Sequence, residues 1–171
     1  MPDYRPQIIL FAIVLLFATI AFGQTSTPTP VKPVLLTINR EAATPLKLTA
    51  DDLAKLPRRT VRAKDHDDKD TSFEGIDISE VLKLAGVQSG EHLRGKELAL
   101  FLVVEASDGY RAVFALPELD HAFTDKIVLL ADRREGQPLK ETEGPLRLVV
   151  PDEKRQARWV RQVVSLTIRR A

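Results

Sequence analysis

The sequence predicts an α+β fold: a single mixed-sheet domain that follows an N-terminal export signal. Three observations carry this expectation. Short apolar runs with strand spacing recur from Val34 to Ile168. Most are separated by turn-forming clusters such as Asp65–Asp70 and Asp108-Gly109. Only a few short segments carry helical spacing, so strands dominate and helices are appended to them.

The chain opens on what reads as a targeting segment. Arg5 precedes an apolar run from Ile8 to Phe22, and Ala21-Phe22-Gly23 puts small residues where a signal peptidase reads them. Cleavage before Gln24 makes residues 1–23 a signal peptide. The run is about fifteen residues long, short of the roughly 20 that a membrane-spanning helix needs; the alternative is an uncleaved anchor. No cysteine follows it, which excludes a lipoprotein anchor. Residues 24–33, rich in Thr, Ser and Pro, read as an extended tether. Residues 34–171 then form one domain, periplasmic or secreted, with no membrane contact after cleavage. A chain near 150 residues buries roughly 70% of its unfolded surface, so an apolar core suffices without disulfides. The net charge of +1 gives no reason to expect a nucleic-acid partner.

Within the domain, Val34, Leu36 and Ile38 alternate with Leu35 and Thr37 as a strand with one buried face. Thr49 caps a short helix whose first turn carries Asp51 and Asp52, and Pro57 ends it after Leu56. Thr60–Ala63 and Thr71–Glu74 form a hairpin around the polar turn Asp65–Asp70. Ile78, Val81, Leu82 and Ala85 make one apolar helical stripe, closed by Gly86 in a left-handed cap. Leu98–Val104 reads as a central strand covered on both faces. Asp108-Gly109 is a two-residue hairpin turn, and Tyr110–Leu116 returns from it. Ile127–Ala131 is another buried run. Leu146, Leu148 and Val150 share a strand face with Arg147 on the polar side, and Val164, Leu166 and Ile168 close the chain.

The chemistry-bearing residues cluster late. Glu143-Gly144-Pro145-Leu146-Arg147-Leu148-Val149-Val150-Pro151 is a strand carrying one arginine, followed by a basic loop ending in Arg158-Trp159. On the residues alone, Arg147 either pairs with a carboxylate across the sheet or offers its guanidinium fork to an anion. Arg111 and Arg158 pose the same choice. Asp65–Asp70 lacks the glycine and glutamate of an EF-hand loop and holds Lys69, so no metal ligand is assigned there. His66, His92 and His121 lie in unlike segments, and no serine sits in a nucleophile elbow.

The order of these motifs, from the Leu56-Pro57 helix end through Asp108-Gly109-Tyr110-Arg111 to the Gly144–Pro151 strand and Trp159, resembles the molybdopterin-binding domain of sulfite oxidase type. The resemblance covers nearly the whole mature chain. It implies molybdopterin as cofactor, oxidoreductase chemistry, a cysteine thiolate on molybdenum, and Arg111, Arg147 and Arg158 as the cofactor-binding, anion-holding set. This chain has no cysteine, and the loop Asp152–Arg158 has none of the glycines that let a backbone approach a cofactor. Two functions follow. One is a molybdopterin-dependent oxidoreductase; the other is a cofactor-free binding module on the same fold, taking a small anion or a partner segment. A subunit packed against a redox partner protein that carries the metal is a third.

Overall fold

The computed structural model describes residues 32–171. The expected signal peptide 1–23 and the tether up to Val31 lie outside the described residues. In chain order, β1 (Val34–Arg40) and β2 (Leu46–Thr49) lead into helix α1 (Ala50–Ala54), and β3 (Arg58–Lys64) and β4 (Asp70–Asp77) into helix α2 (Ile78–Leu84). There follow β5 (Leu100–Ala106), β6 (Arg111–Ala115), β7 (Leu129–Arg134), the very short β8 (Gln137–Pro138), β9 (Arg147–Val149) and β10 (Val163–Arg170). Among the described residues no helix is long and apolar enough to cross a membrane.

The α+β class holds, with the strands divided between two sheets. The first has the order β2-β1-β10-β5-β6; the second runs β3-β4-β7-β8, with β9 also on β7. The first sheet is mixed because the chain's outer strands meet in it: β1 and β10 pair in parallel, while β10–β5 and β5–β6 are antiparallel. The second sheet is antiparallel throughout. Leu36, Ile38, Leu102, Val104, Phe114, Leu166 and Ile168 from the first sheet join Phe73, Ile76, Leu129, Leu130 and Leu148 from the second in one apolar core.

Local chemistry explains most of the elements. Asp77 caps α2 by accepting from the Ser79 backbone N–H at 3.0 Å. At the other end Gly86 adopts φ +70°, its N–H reaching the Lys83 carbonyl while Val87 N–H reaches that of Leu82. This is a Schellman closure, and it turns Val87 back toward the helix. At α1 the cap is inverted from the expectation: the Asp52 carboxylate accepts from both the Thr49 backbone N–H (3.1 Å) and hydroxyl (2.7 Å). These bonds hold the Asp52 carboxyl down to about 2.

Four readings need correction. The Asp108-Gly109 loop has three residues, not two: Ala106 N–H bonds the Tyr110 carbonyl, Gly109 N–H bonds Ala106, and Gly109 alone is left-handed at φ +86°. A type I turn followed by a glycine bulge has this pattern. β5 is central but covered on one face only, with Phe101 and Val103 half-buried on the other. In β10 a bulge between Val163 and Ser165 turns Val164 outward and brings Val163 and Leu166 both to the core. And β9 has no polar face: Leu146 through Val150 are all buried, Arg147 included.

Candidate functional site

Arg147 is enclosed, with no exposed surface. β9 points it beneath the β3–β4 turn, where Nη2 donates to Asp65 Oδ1 at 2.8 Å and Nη1 to Glu143 Oε2 at 3.0 Å. Arg134, on β7, closes the ring by reaching Asp65 Oδ2 (3.1 Å) and Glu143 Oε1 (3.3 Å). Two cations and two carboxylates thus neutralise one another in the interior. The guanidinium carbon of Arg147 lies 5.3 Å from the ring centroids of both Phe73 and Trp159, which themselves meet edge-on at 5.8 Å. Low dielectric strengthens such cation–π contacts. Burial pushes the Asp65 carboxyl up, but the Arg147 hydrogen bond, the His66 N–H and the charges of Arg147 and Arg134 outweigh it and leave it below the usual carboxylate range.

The other two arginines sit elsewhere. Arg158 ends a one-turn 3-10 segment (Gln156–Arg158) and spreads over Phe114 at 4.2 Å. Its Nε donates to Glu153 Oε1 at 2.6 Å, its Nη1 to Glu118 Oε1 at 3.1 Å and to the Val113 carbonyl at 3.0 Å. Arg111 stands exposed on the edge strand β6, paired with Glu105 directly across on β5 at 2.9 Å. The three guanidinium groups share no partner. Each is matched by a carboxylate of its own, which is the ion-pair alternative that the sequence left open.

The loop between Arg147 and Trp159 is pinned down rather than left open. Gln156 Nε2 donates to the Lys64 carbonyl at the end of β3 (2.6 Å), and the Tyr110 hydroxyl donates to the Ala157 carbonyl (2.5 Å). Trp159 is buried, its indole N–H bonded to the Val150 carbonyl at 2.9 Å.

A second locus was missed in the sequence. A cleft of about 240 Å³ lies between α2, the segment Val87–Leu93 and the segment Leu116–Ala122. Leu82, Val87, Leu93, Leu116 and Leu119 supply its apolar walls; Ser79, Lys83, Asp120 and His121 supply polar groups. Asp120 ties two walls together, accepting from Gly90 N–H (2.6 Å) and Ala122 N–H (2.9 Å). His121 Nε2 meets the Asp77 carboxylate at 2.8 Å, and Arg59 Nε approaches the same oxygen at 3.6 Å. The Asp77-x-Ser79 cap was readable as a helix start. That the same carboxylate would hold a histidine forty-four positions later was not.

Residues 64–171 match the model of the oxidoreductase molybdopterin binding domain. The chain belongs to that family. Among solved structures it is similar to the sulfane dehydrogenase SoxCD from Paracoccus pantotrophus, with a TM-score of 0.60 and 25% identity over 78% of this chain. Only 37% of the dehydrogenase chain is covered, so this chain spans well under half of its length. No curated protein matches.

The residues present do not fit the family's cofactor. A thiolate for molybdenum is missing from the sequence. The buried acid of the β3–β4 turn, Asp65, already serves Arg147 and Arg134. Arg147 has no surface to offer a phosphate, and Arg158 is saturated by Glu118 and Glu153. Among the described residues no group of three or more His, Asp or Glu side chains is placed to share a metal ion.

Proposed function

We propose that this chain is an exported, cofactor-free binding module on the molybdopterin-domain fold, and that it takes a small ligand rather than performing metal redox chemistry. The observation that carries this reading is the internal neutralisation of Arg111, Arg147 and Arg158 by Glu105, by Asp65 with Glu143, and by Glu118 with Glu153. An anion entering at Arg147 would have to displace a buried carboxylate, and removing one partner of a buried pair costs about 3–5 kcal/mol. The missing thiolate and the glycine-free loop 152–158 argue the same way. Fold membership alone does not transfer chemistry when the residues that perform it are absent.

The expectation of a small anion held on the three arginines has no support from their pairing, so the ligand is sought elsewhere on the domain. Export rests on the apolar run Ile8–Phe22 and its small-residue flank.

The test is elemental. The full chain is produced in a host that makes molybdenum cofactor and exports it to the periplasm, then purified and assayed for molybdenum and for pterin fluorescence after oxidation. The expected content is far below one metal per chain in both assays. A near-stoichiometric yield of either would overturn the proposal.

A further inference from the structure

The cleft beside α2 combines features that point to a ligand. It is lined at its base by Leu82, Leu93, Leu116 and Leu119, all nearly inaccessible, and it is bounded by groups held in fixed positions. The Schellman closure sets Val87, and the two hydrogen bonds of Asp120 fix the Gly90 and Ala122 segments relative to each other. A volume of about 240 Å³ lies just below the roughly 300–1,000 Å³ of sites for drug-sized ligands. It suits one ring or a short chain.

The orienting group is His121. Asp77 is 2% exposed, and as a carboxylate it can only accept, so Nε2 of His121 carries the proton that it shares with Asp77. In the neutral imidazole this leaves Nδ1 as a lone pair, on a ring that lines the cleft and is 37% exposed. A buried carboxylate behind an imidazole fixes its tautomer and raises its power as an acceptor. Against the neutral ring, the complementary ligand brings a donor. Charge narrows the choice further. Asp77, Asp120 and Glu80 lie around the ring and helix, and among the described residues Lys83 and Arg59 each already face a carboxylate, Glu80 and Asp77, so the surroundings favour an uncharged ligand over an anion.

We infer that the cleft binds a small uncharged hydroxyl compound with an apolar body, of the monocyclic phenol or short-chain alcohol class, whose O–H donates to His121 Nδ1. The inference rests on the binding-module reading and names its site. The site is separate from the Arg147 ring: on β4 Phe73 packs against the Arg147 guanidinium while Asp77 holds His121, and four residues at about 3.3 Å each put roughly 13 Å of strand between them.

The experiment titrates the full chain with para-cresol, toluene and para-toluate, following the imidazole and leucine methyl signals by NMR. Cresol is expected to shift His121 and the Leu82, Leu93 and Leu119 methyls saturably. Toluene, which lacks the donor, is expected to bind about five- to tenfold more weakly, the worth of one hydrogen bond, and toluate more weakly still. In His121→Phe the preference for cresol over toluene is expected to vanish. Equal binding of cresol and toluene to the native chain would overturn the inference without needing any variant, as would a tighter toluate or the absence of any saturable shift. A stoichiometric molybdenum content would instead sink the cofactor-free reading, whatever cresol does, so the two failures are distinguishable.

Discussion

Arg147 meets Asp65 at 2.8 Å without exposing any of its own surface, and only its Nε lacks a partner. Around this pair, Glu143 and Arg134 complete a neutral ring of two acids and two bases. A residue that resembles a ligand-binding arginine by its place in the chain has become part of the interior. Phe73 and Trp159 help to enclose Arg147, and its burial makes the pairing obligatory.

Asp65→Ala is therefore expected to destabilise the domain by about 3–5 kcal/mol, because it leaves a buried cation uncompensated. Adding Arg147→Met removes that cation and leaves Arg134 paired with Glu143. The double variant should be more stable than Asp65→Ala alone, since neutral replacements of buried pairs are tolerated. Urea midpoints of the four proteins check this. Purely additive losses would mean that the pair is not coupled.

The same ring makes a prediction about acid. The folded-state Asp65 carboxyl lies below its unfolded value, so the unfolded chain takes up its proton first as pH falls. Its contribution is fully present above the ordinary aspartate range, near about pH 4, and is lost as pH drops through the lower folded value. The stability gap between the native chain and Asp65→Asn should accordingly be widest near neutrality and shrink toward pH 3. Thermal melts across that range measure it; a gap independent of pH would contradict the assignment.

How much of this was legible depends on whether the deciding information was local. The α2 stripe Ile78, Val81, Leu82 and its Gly86 cap were legible because period and cap lie within ten residues. The β3–β4 hairpin was legible for the same reason. What failed was non-local. Arg147 between two leucines looks like an alternating strand facing water, and only the arrival of Asp65 and Trp159 from distant segments buries it. β2 went unread, because Leu46–Thr49 is a strand only by pairing with β1. His121 was set aside because the three histidines lie in unlike segments, and nothing local ties it to Asp77, forty-four positions away. The parallel β1–β10 pairing joins residues well over a hundred positions apart, such as Thr37 and Ser165, and no local pattern announces it.

Arg111 and Arg158 should behave differently from Arg147 and from each other. Arg111 pairs with Glu105 in the open, and exposed pairs of this kind contribute little to stability. Arg111→Ala is expected to leave the melting curve almost unchanged, with what effect there is fading in high salt. Arg158 also packs over Phe114 and bonds the Val113 carbonyl, so its loss removes packing as well as charge. Arg158→Ala should cost about 1–2 kcal/mol by denaturant unfolding, a loss that persists in salt. If Arg111→Ala proved the more damaging of the two, the placement of these side chains would be wrong.

Gly75 tests the seam inside the second sheet. It lies on β4 where the pairing with β7 slips by one residue between Glu74 and Gly75. A β-carbon there would come within 2.1 Å of the Leu130 carbonyl oxygen and 2.6 Å of the Ala131 α-carbon. Both are backbone atoms in the middle of a buried strand, so neither can rotate aside as a side-chain tip would. The smallest substitution, Gly75→Ala, must then push β4 and β7 apart and loosen Phe73 and Leu130 in the core. Overpacking of this kind costs about 1–3 kcal/mol or more, whereas Gly109→Ala adds a β-carbon to open space and carries only the cost of its left-handed backbone. Gly75→Ala should lower the urea midpoint more than Gly109→Ala does. It should also speed hydrogen exchange at Ile76 and Leu130, which pair across the seam, while leaving the β5–β6 amides protected.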